Sequence, residues 1–144
     1  MKRVFNKSNI IFSFILNLVF SFIMSLINVN LGLIFMILGL LIFPLLSNIL
    51  SIIFSKNTYN LVSLFIMALF NILYYYIVSN SIMSNPKFKE ISDDFTTEKN
   101  DFYIEINQNL LTIPQFIFSF LIYFCLTYLI LKIFFKGEHN VKNK

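Results

Sequence analysis

Six of the seven acidic residues lie in one polar stretch, residues 84–113: Glu90, Asp93, Asp94, Glu98, Asp101 and Glu105. Of these, Asp93, Asp94, Glu98 and Asp101 are the carboxylates that could hold a divalent cation. Their spacing is not that of an EF-hand loop, so the stretch reads as a solvated acidic face and no metal site is expected. His139, beside Glu138 in a basic tail, reads as solvated. Cys125 is the single cysteine; it rules out an internal disulfide framework and reads as a small core hydrophobe. The chain has no phosphate-cradling glycine loop, no serine elbow and no Cys/His cluster. Neither an enzyme nor a cofactor is expected.

A second set of polar residues is uncharged and recurs at helical spacing. Ser13, Asn17, Ser21 and Ser25 follow one another in i, i+4 steps. So do Gln115, Ser119, Tyr123 and Thr127, and so do Ser63, Met67, Asn71 and Tyr75. Inside apolar helices such stripes normally face other helices and hydrogen-bond across them. Asn17, Ser21, Asn71, Tyr75, Ser119 and Tyr123 are therefore the candidates for polar packing within a membrane. The consecutive Tyr74, Tyr75 and Tyr76 project about 100° apart on a helix. They read mostly as interfacial anchors, with Tyr75 extending the stripe.

The elements that must position these residues are apolar and long. The chain of 144 residues is 58% hydrophobic and only 12% charged, where soluble domains carry about 25% charge; mean hydropathy is +0.78. Apolar runs cover about 10–27, 31–54, 61–83 and 114–135. At about 1.5 Å rise per residue, each can cross a hydrocarbon core of about 30 Å. The first run is too long for a signal peptide's apolar region and lacks a small-residue cleavage site. Asn28-Val29-Asn30 and Gly32 break the first run from the second, and 55–60 break the second from the third. Pro44 and Asn48 in the second run cost less than its Leu, Ile and Phe residues gain on insertion. Pro114 suits a first helical turn and Gly137 a stop.

Cation placement orients these spans. With the N-terminus cytoplasmic, Lys2, Arg3, Lys7, Lys56, Lys132, Lys136, Lys142 and Lys144 lie inside, while Lys87, Lys89 and Lys99 lie outside. That asymmetry follows the positive-inside rule. The expected fold is an all-α membrane protein: four transmembrane helices in one domain, an antiparallel up-down bundle with both termini cytoplasmic. Within the outer segment Phe88, Ile91 and Phe95 mark a short amphipathic helix. Beyond it, Phe102, Ile104 and Ile106 alternate with Tyr103, Glu105 and Asn107 as a strand would. Phe88, Glu90, Asp93, Asp94, Glu98 and Asp101 are the candidate outer interaction residues. No span carries an ionisable residue in its interior, which weighs against a pump, an intramembrane metalloprotease or a carrier of charged substrates. The net charge of +4 is split into small groups beside apolar runs, so nucleic acid is not an expected partner.

Phe70-Asn71-Ile72-Leu73, Tyr74-Tyr75-Tyr76-Ile77 and Pro86-Lys87-Phe88 resemble words of the Msa family of small bacterial membrane proteins. Asn28-Val29-Asn30, Pro44 and the basic C-terminal tail are similar to that family's layout as well. The resemblance implies a four-helix protein of the bacterial cell membrane that affects expression of an accessory regulator and biofilm-related behaviour, acting as a sensor. It supplies no catalytic residues. The expected function is a non-enzymatic regulatory or sensory role through contacts with a membrane-protein partner or a second copy of the chain. A bacteriocin-immunity or phage-exclusion protein, or an accessory transporter subunit, are the alternatives. Abundant Phe, Ile, Asn, Lys and Tyr point to an A+T-rich bacterial, phage or plasmid genome.

Overall fold

The computed structural model describes residues 7–54, 60–95, 97–99, 102–104 and 107–134. Four long helices dominate it: α1 (Lys7–Ile27), α2 (Leu33–Phe54), α3 (Leu61–Met83) and α5 (Ile113–Phe134). A short helix α4 (Pro86–Asp94) and two three-residue strands, β1 (Thr97–Lys99) and β2 (Phe102–Ile104), lie between α3 and α5. The strands pair antiparallel, Thr97 opposite Ile104 and Lys99 opposite Phe102.

Helix boundaries follow from local chemistry. A 3-10 turn, Asn28–Leu31, ends α1, and Gly32 follows it at φ +83°, a conformation that costs glycine nothing. That turn takes up Leu31, so α2 starts at Leu33 and not at the expected Leu31. A reciprocal capping box opens α3: the Asn60 side chain accepts from the Ser63 N–H at 2.7 Å while Ser63 Oγ accepts from the Asn60 N–H at 3.2 Å. Asn85 caps α4, with Pro86 in the first turn, where its missing N–H is no loss. Gln115 accepts from both the N–H and the hydroxyl of Thr112, at 3.2 and 3.0 Å, and so holds the start of α5. Ser63 and Gln115, the first members of two polar stripes, are thus engaged in capping.

Polarity in the bundle is inverted relative to a soluble domain. Asn9, Ser13, Ser47, Asn48, Ser51, Ser63, Asn71 and Ser79 are fully buried. Phe22, Ile34, Phe118 and Ile133 are 65–71% exposed, and apolar side chains cover the outward surface of every long helix. Water would penalise so large an apolar exterior; lipid does not. All four long helices are long and apolar enough to cross a membrane, and the chain is a multi-pass membrane protein. Cys125, read from sequence as a core residue, is exposed on α5, where it faces lipid as readily as Leu or Ile would.

Two apolar clusters bracket a polar layer. One joins Met24, Val29, Met36, Tyr74, Val78, Ile82 and Phe88. The other joins Ile52, Leu64, Met67 and Leu131. On α2 and α3 the polar residues Ser47, Asn48 and Asn71 fall between these clusters. The tip of the Met24 side chain of α1 packs over Gly39 of α2, where an added Cβ would make it shift.

Candidate functional site

The polar layer ties all four long helices together. Asn17, at the midpoint of α1, is its hub. Its Nδ2 lies 2.9 Å from the Ser13 carbonyl, 2.8 Å from Ser47 Oγ on α2 and 3.1 Å from Asn71 Oδ1 on α3. The Ser13 carbonyl can only accept, which fixes the amide with nitrogen toward it. Ser13 Oγ donates to Asn48 Oδ1 at 3.0 Å, and Asn48 Nδ2 donates to Thr127 Oγ1 on α5 at 3.1 Å. Ser47 Oγ donates in turn to the Pro44 carbonyl at 2.8 Å. Two protons on Asn17 serve three good acceptors, while Asn17 Oδ1 and Asn71 Nδ2 have no hydrogen-bond partner among the described residues. The layer therefore specifies which helix faces meet.

Pro44 explains a further contact. It has no N–H, so the Leu40 carbonyl one turn earlier loses its helical donor. Tyr123 of α5, buried, donates its hydroxyl to that carbonyl at 2.6 Å. Tyr74 of α3 donates to the adjacent Gly39 carbonyl at 2.9 Å. In a bilayer, freed backbone groups must be satisfied by neighbouring helices, and α5 does this for the Leu40 carbonyl; the Gly39 carbonyl has Phe43 at its helical donor position and takes the Tyr74 hydroxyl in addition.

The candidates named from sequence fall into distinct places. Asn17, Asn71 and Tyr123 are buried and bridge helices. Ser21 is buried, but its hydroxyl donates to the Leu18 carbonyl of its own helix at 2.8 Å. Ser119 is half-buried on α5. The three tyrosines separate: Tyr74 is buried against α2, Tyr75 donates to the Leu110 carbonyl at 2.8 Å, and Tyr76 is exposed. Tyr74 is thus a packing residue inside the bundle and not an interfacial anchor. Asn48, Ser47 and Thr127 are central to the layer. Asn48 entered the sequence reading only as a cost of insertion, although Pro44, Ser47, Asn48 and Ser51 recur at i, i+3, i+4, i+7, the signature of one helix face.

Outside the spans, α4 turns Phe88 into the first apolar cluster, where it is buried. Ile91 is half-buried and Ser92 buried, whereas Phe95 is half exposed and does not complete the apolar stripe. Glu90, Asp93 and Asp94 are exposed, within about 100° of one another on the side of α4 away from Phe88. Glu98 lies in β1 opposite Tyr103; Asp101 lies outside the described residues. Among the described residues no group of three Cys, His, Asp or Glu is placed to share a metal ion. The returning chain is fastened to α4 and α3: Gln108 Nε2 donates to Ser92 Oγ at 2.7 Å and to Asp93 Oδ1 at 3.0 Å, and the Leu110 N–H meets Met83 Sδ at 3.2 Å. Asx turns at Asn107 and Asn109 shape this approach to α5.

The members of the layer among the described residues are amides and hydroxyls joined by hydrogen bonds. No protein-family model matches the chain, and no curated protein or solved structure matches it.

Proposed function

We propose that the chain is a non-enzymatic regulatory or sensory protein of a bacterial cytoplasmic membrane, with residues 84–113 as its outward-facing receiving segment. In this reading the four spans form an up-down bundle with both ends in the cytoplasm. Eight cations on one side against three on the other support that sidedness. Contact of Ser13, in the first half of α1, with Asn48, in the second half of α2, supports the alternation. Protease added to intact cells should then cut between residues 84 and 113 and leave both tails whole. Cleavage of the tails with the 84–113 segment spared would reverse the orientation.

The carrying observation is that the acidic segment is fastened to a membrane span at two points. Phe88 sits in the cluster that contains Tyr74, Val78 and Ile82 of α3. Leu110, on the return, accepts the hydroxyl of Tyr75, also on α3. A ligand or partner that shifts α4 or the returning chain thereby pulls on α3, whose Asn71 joins the buried layer. The resemblance to the Msa family agrees with this role, and the apolar outward faces of the spans suit partner helices or a second copy. Deleting Lys89–Asp101 keeps Phe88 and all four spans. The variant should remain in the membrane fraction after carbonate extraction yet reproduce the full transcript profile of the gene deletion. A wild-type profile from the inserted variant would sink the regulatory reading.

A further inference from the structure

We propose that Met83 is a site of reversible oxidation, where a peroxide converts the thioether to the sulfoxide and releases one of two holds that α3 keeps on the returning chain. Leu110 is gripped by both of its backbone groups, each through a side chain of α3. Its N–H donates to Met83 Sδ at 3.2 Å, and its carbonyl accepts the Tyr75 hydroxyl at 2.8 Å. Met83 also packs against the apolar cluster that holds Phe88. One sulfur therefore touches both points at which residues 84–113 are fastened to α3.

Placement singles out this sulfur. Among the described residues Met24, Met36 and Met67 are at most 2% exposed, whereas Met83 is half-buried and ends α3. A water-borne oxidant reaches Met83 in the folded chain and the other three only when the bundle opens. In the step itself a sulfur lone pair attacks one peroxide oxygen. The S–O bond forms, the O–O bond breaks, and the departing hydroxide takes the proton from the new S–OH group and leaves as water. Sulfur gives up two electrons and the peroxide accepts them. The product is polar and chiral, and methionine sulfoxide reductases reverse it. Nitrogen and sulfur at 3.2 Å leave no room for an atom between them, so the sulfoxide oxygen displaces Leu110 and sets a polar group against the Phe88 cluster.

The site requires the fold alone and not the regulatory role or the sidedness. The full-length chain, with Cys125→Ala so that only thioethers react, is exposed to hydrogen peroxide in detergent micelles. Peptide mass spectrometry locates the added oxygen, and hydrogen exchange follows the Leu110 amide. Met83 should gain oxygen at least about ten-fold faster than Met24, Met36 and Met67, which wait for opening of the bundle. In the Met83 sulfoxide the Leu110 amide should exchange roughly two- to ten-fold faster, the loss of one hydrogen bond. Sulfoxide reductases specific for the two epimers should together restore the slow rate. Met83→Leu should start at the fast rate and stay there under peroxide. Oxidation of all four methionines at one rate would overturn the assignment. So would an unchanged Leu110 amide in the Met83 sulfoxide, or a peroxide response in Met83→Leu equal to that of the parent chain.

Discussion

Tyr123→Phe should destabilise the bundle by about 1–3 kcal/mol, the cost of leaving a buried backbone acceptor unmet, and Pro44→Ala in the same chain should recover most of that loss. The ring of Phe fills the space that the Tyr123 ring occupies, so packing between α5 and α2 is largely kept. What disappears is the hydroxyl that donates to the Leu40 carbonyl at 2.6 Å. With Pro44 in place no helical N–H can replace it; the Pro44→Ala substitution restores one. Reversible unfolding in mixed micelles of all four chains, wild type, each single variant and the double, isolates the coupling. If Tyr123→Phe costs as much in the Pro44→Ala background as in the wild-type chain, the hydroxyl is not there to serve the proline's orphaned carbonyl.

Asn17→Ala should cost roughly 1–2 kcal/mol, the largest effect expected of any single residue in the buried layer. Its amide reaches the Ser13 carbonyl, Ser47 and Asn71, and hydrogen bonds between membrane helices average about 0.6 kcal/mol each. Relief of the unpaired Asn17 Oδ1 offsets part of the loss. The same unfolding assay on Asn71→Ala and the double variant should give a coupling of about 0.6 kcal/mol and no more than about 1.7. Strictly additive losses would mean that the two amides do not depend on each other. The contrast with Ser21 is instructive. It occupies the same stripe, one turn from Asn17, but donates to its own helix; spacing alone does not tell a bridging hydroxyl from a self-satisfied one.

The acidic segment shows the same division. The Phe88–Ile91 spacing is enough to write a short helix there, because an apolar edge is a local property, and the structure adds Asn85 as its cap and Pro86 in its first turn. Phe95 lies at that helix's end and stays half exposed, since the neighbours that would bury it are set by how the chain returns to α5. The latches that govern the return, Gln108 to Ser92 and Asp93 and Leu110 to Tyr75, join residues far apart in the chain. No periodicity encodes them.

By itself the sequence determined the solvent and the number of long helices. Four apolar stretches of sufficient length, with charge excluded from their interiors, leave helices in lipid as the economical way to satisfy the backbone. Only the tertiary structure decided which polar groups meet: that Asn48 is a bridge between α1 and α5, that Tyr74 is buried against α2, and that Tyr123 answers Pro44. The reason is physical. Every apolar face is equally content in lipid, so burial does not choose partners, and the choice falls to hydrogen bonds between helices that exist only once the helices are packed.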